Sequence, residues 1–294
     1  MIDMKCVLDA GARVGECPMW HAAQRRLYWV DSGAGTIHRF DPVTGTNETR
    51  TPPEAIGSFG FRQSSGLVVA ARSGFGFYDF DADAYELVAP VRADEPKVMF
   101  NDGRVGPGGQ FFAGTMGSPI RLGDHGQALY RFDPDGSVTL LVDGIGTSNG
   151  LAFSPDGKTL YHSDSLPDVQ AIWAWDHEPA TGAIANQRVF ATTHDEPGRP
   201  DGATVDAEGF YWSAHVDGWA LLRYAPDGTI AERIAMPVQK PSMPAFAGDK
   251  LDVLYVTSIG QGGTAPMTEG QPHKGGLFSL RPGTTGLPEP RFAG

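Results

Sequence analysis

Glu16, Asn101, Asn149 and Asp201 stand at matching places in a repeated pattern. Each is an oxygen-bearing side chain followed four positions later by an apolar residue: Trp20, Val105, Phe153 or Val205. After the last three comes a Gly-containing turn, Pro107-Gly108-Gly109, Pro155-Asp156-Gly157 or Ala207-Glu208-Gly209, and then an aromatic-rich strand. Carboxylate and amide oxygens without thiolates make a hard-cation site, suited to Ca²⁺, Mg²⁺ or Mn²⁺; carboxylates also bind Zn²⁺ and Fe²⁺. Converging on one point, such residues would hold a single divalent ion. Three protein ligands would leave positions open to water or substrate, as in a catalytic rather than a structural site.

Convergence needs a ring. Relaxing the first residue of the pattern adds Gly57 before Phe61 and Ser242 before Phe246, and the six positions then lie 41 to 52 residues apart. Repeats of that period built from short strands signal a β-propeller. Each ring position is followed by a pair of strands, such as Leu27–Val30 with Thr36–Phe40, or Phe210–Trp212 with Leu221–Tyr224. Many alternate apolar and polar residues, as half-buried strands do, and no stretch carries a sustained helical period. The expectation is an all-β, six-bladed β-propeller, one domain spanning 1–294, with the metal site in its central channel. Lys5-Cys6-Val7-Leu8 is a strand left over before the first ring position. It is expected to join the last blade and remove an edge that would invite aggregation.

Composition agrees with strands and turns: 39 Gly and 23 Pro punctuate a chain that is 40% hydrophobic. The net charge of −12 argues against nucleic-acid binding, which needs a basic face. Cys6 and Cys17 form no CxxC and have no second pair, which excludes a zinc ribbon or redox dithiol and leaves two reduced thiols. The N-terminal residues lack a signal-peptide pattern, and no apolar run is long enough to cross a membrane. A soluble, cytoplasmic protein with no membrane partner is expected.

Register separates site residues from turn residues. Pro-Asp-Gly occurs four times, and Asp135, Asp156 and Asp227 each follow the end of a strand, as turn residues do. Asp201 instead opens an apolar run, Ala203-Thr204-Val205, which has its own turn. Asn101 lies in Phe100-Asn101-Asp102-Gly103, which in isolation would read as a hairpin turn. Shared register with Asn149 and Asp201 makes it a site candidate, whereas Asp102 could simply hold the turn. Among the histidines, His21 and His162 read as packing or rim residues. His215 follows an inner-region strand and is the one candidate for touching a ligand.

GECPMW (15–20), FNDGRVGPGGQFFAGTM (100–116), SNGLAFSPDGKTLYHSDS (148–165) and PDGATVDAEGFYW (200–212) resemble, in order and spacing, the senescence marker protein/regucalcin/gluconolactonase family. The ending GGLFSLRPGTTGLPEPRFAG (275–294) resembles that family too, so the likeness spans nearly the whole chain. The resemblance implies a six-bladed propeller that hydrolyses sugar lactones with a metal ion, or a calcium-binding regulatory relative. It implies Glu16, Asn149 and Asp201 as metal ligands, Asp201 also as general base, and Asn101 as a contact to substrate or water. Many members carry Arg two residues before the Asn of the NDG motif, where it binds sugar hydroxyls; here that residue is Met99. Animal members carry an acidic residue shortly after GTM, where this chain has Gly117-Ser118-Pro119. Both departures make the substrate rim more apolar and point to a pentono- or deoxysugar lactone as the small-molecule partner. The alternatives are a phosphotriester or aryl ester hydrolase of related propeller type, and a calcium-binding regulator without turnover.

Overall fold

In the computed structural model, which describes residues 3–294, six four-stranded antiparallel sheets are arranged as blades around a channel. The innermost strands are Gly15–His21, Ile56–Phe61, Val98–Val105, Ser148–Phe153, Arg199–Val205 and Pro241–Ala247, in blades 1 to 6. They pack side by side around the axis. Blades 1 to 5 each take four consecutive strands. Blade 6 takes its outermost strand from Lys5–Leu8, which pairs with Leu277–Leu280 and places Cys6 opposite Phe278. The closure expected from the sequence is therefore present. Among the described residues there is no α-helix, and no helix that could cross a membrane.

Blade-to-blade packing supplies the core. Buried side chains fall into clusters that each bridge two neighbouring blades. Tyr28, Phe59 and Phe61 join blades 1 and 2; Phe75, Phe100 and Phe111 join 2 and 3; Phe112, Leu151 and Leu160 join 3 and 4. Tyr161, Tyr211 and Tyr224 join 4 and 5, Trp212 and Phe246 join 5 and 6, and Trp29, Tyr255 and Leu277 close 6 onto 1. A fully buried side chain of this size contributes about 1.5–3 kcal/mol, so each interface is stabilised by several such increments. The three Pro-Asp-Gly turns are as expected. Asp135, Asp156 and Asp227 accept the amides of Ser137, Lys158 and Thr229 at 2.9, 3.0 and 3.0 Å.

Every innermost strand is irregular at its ring position. The pairing slips between Glu16 and Met19, Ile56 and Ser58, Phe100 and Gly103, Asn149 and Ala152, Pro200 and Ala203, and Pro241 and Pro244. Each slip leaves one extra residue on the inner strand, a β-bulge, which turns a side chain that would lie between blades toward the axis. Phe100–Gly103 is accordingly a bulge inside a strand, not a hairpin. In blade 2 the bulged residue is Gly57, where a Cβ would lie 2.2 Å from the Phe100 carbonyl oxygen. That blade contributes close approach in place of a side chain.

The C-terminal segment packs along blades 5, 3 and 2. Phe292 is fully buried and stacks on Phe132 with ring centroids 5.3 Å apart. Glu289 pairs with the buried Arg104 at 2.8 Å, and Arg104 also donates to the Ala203 carbonyl at 2.9 Å.

Closure by Lys5–Leu8 makes a measurable prediction. Deleting this strand exposes the blade 6 edge and removes the partial burial of Val7 and Leu8, together about 3 kcal/mol at most. At roughly 2–4 °C per kcal/mol for a chain of this size, the melting temperature should fall by up to roughly 6–12 °C, with more aggregation on heating. An unchanged melting curve would show that the ring closes without it.

Candidate metal centre and active site

The side chains lining the axis come from the bulges. In blade 1, Cys17 follows Glu16 with φ 49°, a left-handed conformation unusual for a residue with a Cβ. In blade 4, Gly150 follows Asn149 with φ 61°. The connections entering these two blades are held alike. Asp31 accepts the amides of Arg13 and Val14 at 2.8 and 2.9 Å, and Asp164 accepts those of Gly146 and Thr147 at 2.8 and 2.9 Å. The Ser242 hydroxyl donates to the Gly15 carbonyl and ties blade 6 to blade 1 beside Glu16. The sequence reading did not single out Asp31 or Asp164. The signal was the recurring Asp-Ser after an aromatic strand, Asp31-Ser32 and Asp164-Ser165.

Hydrogen bonds orient the amides. The Asn149 Nδ2 donates to Ser165 Oγ at 2.8 Å, which leaves Oδ1 as its inward atom. The Asn101 Nδ2 donates to that Oδ1 at 2.9 Å and to the Ser148 carbonyl at 2.8 Å. His162, buried beneath, is hydrogen-bonded to Ser148 Oγ at 2.8 Å and steadies the same strand. The Tyr211 hydroxyl donates to the Gly150 carbonyl at 2.8 Å and links blades 4 and 5 next to Asp201.

Carboxyl groups crowd the same space. Burial pushes the Asp201 carboxyl up to about 7; Arg199 opposes the shift, and the charges of Asp102 and Asp217 add to it. Glu16 is raised well above the usual carboxylate range by burial and then by the negative charges of Asp201 and Asp102. Asp102, pushed up to about 6 by burial, is partly relieved by the amides of Leu151 and Gly103 at 2.9 and 2.8 Å. The nearby arginines have other partners: Arg104 holds Glu289, and Arg199 holds Asp217. Among the described residues, no three His, Cys, Asp or Glu side chains form a metal cage. The inward donor set is instead two carboxylates, Glu16 and Asp201, with the Asn149 amide oxygen. Two carboxylates without a cationic partner, beside an amide oxygen fixed toward them, fit the chemistry of a divalent cation.

The structure corrects one candidate. His215 is fully buried, hydrogen-bonded through Nε2 to the Tyr224 hydroxyl at 3.1 Å, and held neutral by burial, with its pKa lowered to about 4. It packs between blades and presents no surface to a ligand. Met99 is half-buried opposite Met116, and Met116 lines a cavity of about 840 Å³ that Arg199, two residues before Asp201, also lines. Cys17 is buried, with Sγ 3.4 Å from the Phe59 amide, and Cys6 lies in the outermost strand of blade 6; both are free thiols.

Residues 14–260 match the family described as SMP-30/gluconolactonase/LRE-like region. The chain belongs to this family. It is 39% identical over 291 residues to the 6-deoxy-6-sulfogluconolactonase of Pseudomonas putida, covering 99% of each chain. It is 35% identical over 287 residues to the pentonolactonase of Haloferax volcanii, covering 96% of each. Among solved structures it is similar to the calcium-binding protein regucalcin from Agrobacterium tumefaciens, with a TM-score of 0.92 and 26% identity over 99% of this chain and 97% of that one. The family's four motifs fall on the axial bulges described above.

The carboxyl cluster sets a pH dependence for metal-free protein. The folded state holds the Asp201 proton more tightly than the unfolded chain, whose carboxyl titrates near 3.8. The stability this confers is complete below that value and is lost as pH rises to about 7. Chelator-treated protein should therefore melt lower at pH 8 than at pH 5, and Asp201→Asn should flatten the difference. Identical pH trends in the two proteins would contradict the assignment.

Proposed function

We propose that this protein opens a sugar lactone to the aldonic acid, using a divalent cation held by Glu16, Asn149 and Asp201. The observation that carries the reading is the pair of carboxylates without an ion-pair partner, Asp201 buried and Glu16 half-buried, beside an oriented amide oxygen. Family membership and the lactonases among the relatives support it. When bound, the ion supplies Lewis-acid polarisation of the lactone carbonyl. The regucalcin relatives favour Ca²⁺ among the candidate ions.

The chain's own residues do the rest. The Asp201 carboxylate, which a bound cation would keep ionised near neutral pH, accepts a proton from the attacking water. The Asn101 carbonyl oxygen, which meets no protein donor among the described residues, accepts a hydrogen bond from that water or from a sugar hydroxyl. Water oxygen bonds to the carbonyl carbon, the bond from that carbon to the ring oxygen breaks, and the ring oxygen leaves as a hydroxyl carrying a proton. Asn149 and Glu16 fix the ion. A cytoplasmic location belongs to this reading.

Met99 sets the edge of the substrate. With Met116 it forms an apolar rim where many relatives place Arg. The name of the pentonolactonase relative specifies a lactone with no carbon 6, which suits an apolar contact, whereas that of the 6-deoxy-6-sulfogluconolactonase specifies a sulfonate at that carbon. Such a rim discriminates by only about 1–3 kcal/mol per methylene, whereas an unmatched hydrogen-bonding site discriminates far more strongly.

Two outcomes follow. Asp201→Ala should abolish lactone turnover and weaken divalent-cation binding measured by calorimetry, while Asn149→Ala should mainly weaken the binding. Near wild-type turnover by Asp201→Ala at saturating metal would refute the mechanism. Across matched lactones, kcat/KM should be higher for five-carbon and 6-deoxy substrates than for D-gluconolactone, and Met99→Arg should narrow the gap. A clear wild-type preference for D-gluconolactone would overturn the role given to Met99.

A further inference from the structure

The residue two positions before each ring position opens the innermost strand at the cavity end. In blades 1 to 4 these residues are Val14, Ala55, Met99 and Thr147, all uncharged. In blades 5 and 6 they are Arg199 and Lys240. The cation absent from blade 3 thus has counterparts across the channel.

Both cations meet one carboxylate. Asp217 lies 2.6 Å from Lys240 Nζ and 3.3 Å from an Arg199 terminal nitrogen. Lys240 is fully buried and also donates to the Ala265 carbonyl at 2.8 Å, so its hydrogen bonds fix the loop of blade 6. Asp217 is held in the left-handed region, φ 68°, where Gly198 and Gly218 touch; a Cβ on Gly198 would lie 2.4 Å from the Gly218 nitrogen. Asp217 thus holds both cations, and Asp201 also lies in the field of Arg199.

Arg199 reaches the cavity of about 840 Å³, which Met116, Gln170 and His194 also line; of its carboxylates, Asp217 is paired with Arg199 itself and Glu196 with Arg233. One terminal nitrogen donates to the Ser165 carbonyl at 2.7 Å and the other meets Asp217. The Nε–H and the second hydrogen of each terminal nitrogen have no acceptor among the described residues. A guanidinium held on one side, with a planar donor edge free, suits an oxyanion. The cavity lies toward the upper end of the roughly 300–1,000 Å³ typical of sites for drug-sized ligands, which leaves room beyond a bare sugar ring.

We propose that Arg199 is a specificity-determining substrate contact, and that the preferred lactones carry an anionic group, carboxylate, sulfonate or phosphate, on the exocyclic carbon. Asp217 and Lys240 position it. This rests on the lactonase reading above and names the substrate class for that site.

The test compares Arg199→Gln and Arg199→Lys with wild type on neutral lactones and on matched lactones bearing each of the three anions. Removing Arg199 leaves Asp217 paired with Lys240. Wild type should favour at least one anionic series over its neutral parent, and the favoured arm identifies the group. Arg199→Gln should lower kcat/KM on that series by roughly 10- to 100-fold, mainly through KM, as expected for a charge-assisted hydrogen bond. The loss on neutral lactones, which reads the field of Arg199 on Asp201, should be smaller than the loss on the anionic series, and Arg199→Lys, which keeps the charge, should recover part of both. Equal wild-type efficiency on anionic and neutral lactones, or an equal loss on both in Arg199→Gln, would overturn the proposal. Calorimetry with ring-opened products, with and without the second anion, reads Arg199 independently of turnover. Should no lactone be opened, the lactonase reading fails, and tighter wild-type binding of the doubly anionic product still supports the role of Arg199. Absence of that difference refutes it.

Discussion

Repulsion among Glu16, Asp102 and Asp201 is the constraint around which the channel is built. Removing several carboxyls from water into one space is unfavourable unless each finds a partner or a proton. The structure meets the three cases differently. Asp102 takes two backbone amides and the field of Arg104, Asp201 takes the field of Arg199, and Glu16 has the least relief. The stability needed to tolerate this lies elsewhere, in the aromatic seams between blades, which exclude the channel carboxylates. Separating the two functions lets the axis remain electrostatically unsatisfied without loosening the ring.

The bulges are what allow such a floor to be built from strands. In a regular blade, side chains alternate between the two neighbouring blades, and none points along the radius toward the axis. One extra residue per inner strand breaks the alternation where the axial group is needed. Blades 1, 3, 4 and 5 use that residue for Glu16, Asn101, Asn149 and Asp201. Blade 6 spends it on a serine that ties the ring shut, and blade 2 on a glycine that lets its neighbour come close.

Much of this could be read from the chain because the repeat is long and its aromatic strands are distinctive. Six equivalent positions gave the ring, and the contrast between Asp201 and the three turn aspartates held because register, not residue type, was compared. His215 was misjudged for a reason also present in the sequence: in Tyr211–Val216 it shares parity with Tyr211 and Ser213, the face that packs on blade 4. Asp102 was ambiguous because its amide partner Leu151 lies in the next blade, and no local pattern reports that contact. Arg199 escaped attention because the missing cation was sought only at Met99. The same offset in every blade would have revealed it.

Ring opening changes the charge of the molecule that the cavity holds. A lactone that enters over Met116 and Arg199 and leaves the same way departs more negative than it arrived, by the new carboxylate. The groups that greet the incoming molecule are then also the last to release the outgoing one.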